Sequence, residues 1–303
     1  MHRAPYLPSL GLIASLVSWV ACSQSAPADM PVIPAAPAHG YQLKTPSFSL
    51  ASGEEKYLCY TVTLDEAQDI AITQFDPFVT DVVHHYEVYQ TLLPEQSGLW
   101  DCTQQQIKET WLPLFGGGVG AQGMTLPSGT GFRIPGTAQL LMQLHLVNAT
   151  PAAIDTLVAV NMTYADDASR VTPAGIFAVG TMNINLAPGE KNRRLTAGCQ
   201  LPKDLNVFAV QPHMHKLGKV MTFDYGADAA SATTIYKRDP WVFGGQPIDP
   251  FVRTLKRGDY MSTSCTYDNT TDKTVSYGET TRDEMCYFVL FYTPFDRLGG
   301  CID

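Results

Sequence analysis

Apolar residues in this chain fall in short runs rich in β-branched and aromatic side chains, separated by Gly, Pro and Asn. Tyr57–Leu64, Asp69–Phe75, Gln139–Val147 and Thr156–Tyr164 read this way in the first half. Asn206–Val210, Val220–Tyr225, Tyr260–Tyr267 and Cys286–Tyr292 do so in the second. Such runs predict the strands of antiparallel sandwiches. No stretch carries a convincing helical period. Polar Ala165–Arg170 follows one sheet-like block and marks an expected boundary, with domains over residues 41–166 and 167–303. No simple internal repeat is visible, and Gly116–Gly118 reads as a flexible loop.

The first apolar run has a different character. Arg3 precedes Leu7–Ala21, a short apolar stretch ending in small residues, which predicts a secretory signal over residues 1–21. Cys22 follows at once, ahead of a Pro- and Ala-rich segment, as at a lipoprotein cleavage site, although Trp19 stands where leucine is usual. The expectation is a lipidated Cys22 on a tether over 22–40. A plain signal, cut between Ala21 and Ala26, is the alternative. Either way the chain is expected to be exported, as a periplasmic or membrane-anchored lipoprotein or as a secreted protein. Three Asn-x-Thr sequons, at Asn148, Asn161 and Asn269, fit export. No later apolar run reaches the roughly 18 residues of a membrane span, so any membrane link is through lipid.

Composition narrows the class. A chain of 303 residues has length for a sizeable core and for two domains. Charged residues are 16% of it, below the usual share of about 25%, which argues against disorder. The net charge of 20 − 29 = −9 and the absence of a basic stripe exclude nucleic acid as a partner. Setting Cys22 aside leaves six cysteines, enough for three disulfides in an oxidising compartment. Spacing alone cannot choose their pairing. No two cysteines have the spacing of a zinc knuckle.

The histidines point to metal. His2 lies in the signal and His39 in the tether; the other five are His84, His85, His145, His213 and His215. His213 and His215, two apart, would share a face on a strand. His84 and His85 are adjacent and would face opposite ways, so a common ligand requires a bulge or a strand end. His145 has Gln143 two residues before it. All-imidazole sites suit zinc, copper or iron. Neither cluster has the carboxylate of a facial iron triad. Zinc hydrolysis stays open on ligands alone, and a thioether ligand would favour Cu(I).

Several segments together resemble the copper type II, ascorbate-dependent monooxygenases, whose branches act on peptidylglycine and on dopamine. Val82–Gln90 looks like the family's paired-histidine strand, Leu140–His145 its third-histidine strand, Phe208–Gly218 its His-x-His segment and Asp283–Cys286 its Met-Cys segment. Supporting blocks are Tyr57–Cys59, Leu126–Arg133, Pro188–Glu190 and Gly258–Tyr267. The resemblance runs from about residue 42 to 303.

It implies two tandem antiparallel jelly-roll-like β-sandwich domains with a cleft between them and two coppers per chain. His84, His85 and His145 would hold an electron-transfer copper. His213, His215 and Met285 would hold the copper that meets dioxygen and substrate, with Gln143 facing the cleft. Ascorbate or another reductant would supply electrons for hydroxylation of a small molecule. A copper-binding or sensing lipoprotein without turnover, and a zinc hydrolase on the same scaffold, are the alternatives. Family position pairs Cys59 with Cys102, Cys265 with Cys286 and Cys199 with Cys301. The peptide branch has an arginine where Gln211 stands, as glutamine stands in the dopamine branch; the family's tyrosine four residues after the ligand methionine is Val289 here, and Tyr287 replaces a small polar residue. These departures argue against a peptide substrate. Ser264–Tyr267 and the short Cys286–Cys301 interval lean toward the dopamine branch. That branch's extra N-terminal domain is not expected here, so a catecholamine is not supported either.

Overall fold

The computed structural model describes residues 32–105, 107–118, 122–244, 246–296 and 299–303. The expected signal over 1–21, Cys22 and the start of the tether lie outside the described residues. Among the described residues there is no α-helix, only a 3₁₀ turn over Ala168–Arg170. The chain is all-β, as its apolar runs predict.

Four larger sheets form two sandwiches in chain order. In the first, Gly98–Asp101, Glu55–Thr63, Gln139–Val147, Val83–Thr91 and Trp111–Gly118 lie side by side. The facing sheet runs Gly40–Lys44, Ala159–Tyr164, Ile70–Phe78, Thr130–Ile134 and Thr172–Pro173. The central Gln139–Val147 strand shows how one strand serves two purposes. Leu140, Met142, Leu144 and Leu146 enter a core shared with Ile72, Phe75, Phe132 and Val160. The alternate residues Leu141, Gln143 and His145 project from the other face.

The second sandwich pairs the sheet Asp249–Leu255, Leu205–His213, Cys286–Thr293, Gly175–Thr181 and Gly299–Ile302 with the sheet Arg193–Gln200, Tyr260–Tyr267, Gly218–Gly226 and Thr233–Arg238. Val207, Val210, Phe288 and Leu290 meet Met221, Phe223 and Met261 between them. Phe223 stacks on Phe288 with centroids 4.4 Å apart, an arrangement worth about 1 kcal/mol beyond area burial. Cys199–Cys301 and Cys265–Cys286 each join the two sheets of this sandwich, and Cys59–Cys102 ties an edge of the first. The outer face of the Leu205–His213 sheet is also apolar. Ala209 and Phe291 are buried in the first core, with Ile176, Phe208 and Val289 packed against it. The chain stays with the first sandwich through Thr172 and Pro173, which pair in parallel with Thr130 and Gly131. The described end of the expected tether lies along that sandwich too, where Gln42 donates to the Pro34 carbonyl and Asn161 to that of Ala35.

Two expectations are corrected. Gly116–Gly118 is not a loop but the end of the Trp111–Gly118 strand, with Gly118 opposite His85 and Gly116 opposite Glu87. A Cβ at Gly116 would lie 2.9 Å from the Glu87 side chain, so glycine there permits close approach rather than flexibility. An internal repeat is present as a loop anchor in each sandwich, its sequence trace being the short matches of Leu50–Glu54 to Leu186–Glu190 and of Asn148–Thr150 to Asn269–Thr271. The Asn148 amide donates to the carbonyls of Leu50, Ala51 and Ala152 and its oxygen accepts from Thr150. Asn269 does the same with Leu186, Ala187, Lys273 and Thr271. In each case the chain contacted turns through a glycine at positive φ, Gly53 at 72° and Gly189 at 69°, where a side chain would be strained. Glu54 and Glu190 then close the two turns onto the N–H groups of Ala51 and Ala187. The sequons at Asn148 and Asn269 are thus the sequence trace of a buried structural device.

Asn148 is fully buried, and replacing it with alanine leaves several carbonyls without a donor. Asn148→Ala should cost about 2–4 kcal/mol. Urea unfolding of the wild type and the variant measures it; a loss under about 0.5 kcal/mol would show that the anchor is dispensable.

Candidate metal centres

The first cluster sits on the outer face of the first sandwich. His85 and His145 are direct partners on neighbouring strands, but the register then steps from His145–His85 to Leu146–Val83. His84 is the extra residue. This bulge supplies what two adjacent histidines need to share a face. The rings of His84, His85 and His145 lie 4.8–5.6 Å apart by centroid, and a nitrogen from each falls within 4.8 Å of the others.

Surrounding groups decide which nitrogen is free. His145 is buried, and its Nε2 lies 2.9 Å from Glu55 Oε1. A carboxylate accepts, so Nε2 carries the proton and Nδ1 the lone pair. Nδ1 of His145 and Nδ1 of His84 are buried with no protein partner. Such orphaned acceptors are rare in a folded interior, and a metal ion would satisfy both. Tyr57 stacks flat on His145, centroids 4.3 Å apart, which fixes the ring plane.

The second cluster lies where the Leu205–His213 strand ends. His213 is the last strand residue and His215 lies just past it, so the pair straddles a strand end instead of lying within a strand. Met214 between them is buried in the second core, and the two rings lie edge to face with centroids 5.2 Å apart. Here Nδ1 is the committed nitrogen. His215 Nδ1 donates to the Asp283 carbonyl at 2.9 Å. His213 Nδ1 lies 2.6 Å from Gln246 Oε1, while the Gln246 amide nitrogen donates to the carbonyls of Met214 and Phe243. Nε2 of both rings keeps its lone pair.

Met285 is buried, and the backbone around it is pinned. Glu284 accepts the backbone N–H groups of His215 and Leu217, at 2.9 and 2.6 Å. Tyr267 donates to the Met285 carbonyl at 2.7 Å, and Cys286 is bridged to Cys265. The methionine is therefore carried on the same segment that orients His215.

Gln143 is buried beside Glu87 on the strand row next to His145–His85, and neither of its amide atoms has a partner. Tyr287 and Val289 are cross-strand partners of His213 and Gln211, so all four share one face. Gln211 donates to the Gly116 carbonyl of the first sandwich at 3.3 Å. Val289 packs on the first core. Phe243 lies between the clusters, 4.8 Å from the His84 ring and 6.3 Å from that of His215.

Comparison with known proteins agrees with this donor pattern. Residues 172–303 match the model of the copper type II ascorbate-dependent monooxygenase C-terminal domain. Peptidylglycine alpha-amidating monooxygenase of Rattus norvegicus is 24% identical over 255 residues, 78% of this chain and 25% of the relative. Dopamine beta-hydroxylase of Bos taurus is 28% identical over 294 residues, 86% of this chain and 47% of the relative. Residues 172–303 thus match this family's C-terminal domain, and the chain as a whole is similar to its members. It spans between a quarter and about half the length of these relatives. Among solved structures allantoicase aligns with a TM-score of only 0.25 at 9% identity over 80% of this chain and 79% of that one, too weak a likeness to bear on the fold.

Similarity to a copper- and ascorbate-dependent family fits the donors. Three imidazoles in one set, two imidazoles with a methionine on the adjoining segment in the other, match copper's preference for nitrogen and soft sulfur. Sequence reasoning missed Glu55, Gln246 and Phe243. Glu55 and Gln246 hold the non-ligating nitrogens, yet they are far along the chain from the rings they orient, and a glutamate or glutamine in a polar stretch carries no distinguishing pattern. Glu284 was visible inside Asp283–Cys286, but not its grip on the His215 backbone.

Burial keeps the rings neutral, which is the ligating form. Burial, reinforced by the other imidazoles, lowers the His84 pKa to about 4; burial and His215 lower that of His213 to about 3. An unfolded chain takes up these protons near pH 6.5, so both rings draw stability down as pH falls below that value. Glu87 and Glu284, each raised to about 7 by burial from a usual 4.5, act in the opposite sense between pH 7 and 4.5. Ring titration isolates the histidine term. In metal-free protein the imidazole ¹⁵N shifts of His84 and His213 should stay flat from pH 7 to 5; a midpoint near 6.5 for either would contradict its burial.

Proposed function

We propose that the protein is an exported copper-dependent monooxygenase that hydroxylates a C–H bond of a small neutral or aromatic molecule. Dioxygen and ascorbate, or another reductant, would be co-substrates. The observation that carries this reading is the pair of imidazole sets, one on each sandwich, in which His145, His213 and His215 each commit one nitrogen to a hydrogen bond and leave the other free. His84, His85 and His145 on the 41–166 domain would hold one copper for electron transfer. His213, His215 and Met285 on the 167–303 domain would hold a second, for oxygen. Copper bound there supplies one-electron redox chemistry, and a thioether ligand favours its reduced form.

The chain's own residues set the surroundings. Glu55 and Gln246 orient the rings, and Phe243 places an aromatic ring between the sets. Gln143 offers an amide with both ends uncommitted to a polar group of the substrate. Gln211 is already engaged with the Gly116 carbonyl and has no guanidinium with which to clamp a carboxylate. Losing a charge-assisted clamp typically forfeits about 1.5–3 kcal/mol. Tyr287 and Val289 add apolar surface on that face. A peptide ending in glycine is therefore disfavoured. Lipidated Cys22 would hold the enzyme at a membrane surface.

Copper-loaded protein should consume oxygen on addition of ascorbate and hydroxylate members of a panel of phenethylamines and neutral aromatics. Hydroxylation of a glycine-extended peptide alone would overturn the reading of Gln211. No oxygen uptake by copper-loaded protein would favour a copper-binding lipoprotein without turnover, and hydrolysis with zinc would favour a zinc hydrolase.

Met285→Ile keeps bulk and removes sulfur. Turnover should fall at least tenfold while the three-histidine set keeps its copper, as metal analysis would show. Full turnover in this variant would make Met285 a packing residue.

A further inference from the structure

One short segment touches the outer partners of both histidine sets. Residues 277–285 join the Val275–Ser276 strand to the Cys286–Thr293 strand. On the second sandwich this segment supplies the Asp283 carbonyl to His215 Nδ1, and Glu284 to the backbone N–H groups of His215 and Leu217. On the first sandwich, Thr281 donates to Glu55 Oε1 at 3.2 Å, the same oxygen that meets His145 Nε2. Tyr57, whose ring stacks on His145, donates its hydroxyl to the Glu279 carbonyl. The Ile107 N–H donates to the Glu279 carboxylate at 3.2 Å.

The segment is stiff. Asp283 Oδ2 accepts both the N–H and the hydroxyl of Thr280, and the Asp283 N–H returns to the Thr280 carbonyl. A Cβ at Gly278 would collide with the Asp283 carboxylate at 2.5 Å, so the turn closes tightly on itself. Glu284 is fully buried and cannot swing out without leaving two backbone donors unmet. A displacement at one end is passed to the other because little in between can yield.

Resting on the copper reading above, we propose that the Glu279–Met285 segment couples the two metal centres, with Tyr57 and Thr281 as positioning residues. Metal on His215 holds its Nδ1–H against Asp283 and so fixes the segment. The fixed segment holds Thr281 on Glu55 and Tyr57 in its stack, and these orient His145 for its own metal. Filling the second site tightens the first, and by linkage the first tightens the second by the same factor.

The test is copper(I) titration of the full chain against bicinchoninate. Affinity of the three-histidine set is measured with the second site filled and with that site removed by His213→Ala. The ratio should be about 5- to 50-fold. In Thr281→Val, and in Tyr57→Phe, which keeps the stacked ring, the ratio should fall toward 1, with each isolated set binding within about twofold of wild type. Thr281→Ser, which keeps the hydroxyl, should restore it, and near-ultraviolet circular dichroism should report a wild-type fold for all three. Two coppers that bind independently in the wild type, or a ratio unchanged in Thr281→Val and Tyr57→Phe, would overturn the coupling and leave the copper reading standing. Failure of both sets to bind copper(I) would overturn the two together.

Discussion

An imidazole can offer a metal only one nitrogen well, and a buried ring must place its other nitrogen in a hydrogen bond or carry an unmet polar group. That constraint organises much of the molecule. His145 commits Nε2 to Glu55, and His213 and His215 commit Nδ1 to Gln246 and the Asp283 carbonyl. His145 therefore offers Nδ1 while His213 and His215 offer Nε2, and residues far apart in the chain must meet to arrange it. Partners of this kind fix ring orientation and raise ligand basicity. Their positions require the sandwiches, the loop anchors and the disulfides to hold still.

The frame delivers that stillness economically. Each sheet carries core residues on one face, so the alternate positions of the same strands arrive at the site already indexed. Gln139–Val147 and Cys286–Thr293 each bury side chains on both faces, one set in a core and the other beside the histidines. A bulge adds the remaining ligand: it lets His84 and His85 point together where a regular strand would part them. The repeated Asn-centred anchor closes a loop of each sandwich through equivalent bonds. Two sandwiches of one construction thus carry two different sets of candidate ligands.

The space between the sandwiches is as constrained as their interiors. Phe291 and Ala209 leave the second core to bury themselves in the first, and Gln211 reaches the Gly116 carbonyl. Phe243 occupies the region between His84 and His215. Burial in this region lowers the pKa of every site histidine, which keeps the rings in the form that binds metal.

Much of this could be read from the chain before folding. Apolar runs with β-branched residues defined the strands, because a half-buried strand leaves a period-two trace. The five histidines stood out because few other side chains ligate copper, whereas Met285, one of ten methionines, was singled out only by the resemblance of Asp283–Cys286 to a family segment. What the chain could not disclose depends on contacts between distant segments. The adjacency of His84 and His85 called for a bulge or a strand end, and only the register between the two strands decided for the bulge. Gly116–Gly118 looked loose because glycine is ambiguous until its neighbour, here Glu87, is known. The anchor repeat went unseen because its matching pieces, Leu50–Glu54 with Asn148–Thr150 and Leu186–Glu190 with Asn269–Thr271, are short and far apart in the chain, and only folding brings each pair together. Residue types fixed which side chains can bind metal; only the tertiary structure decided which nitrogen each ring presents, because that choice belongs to the partner on the ring's far side.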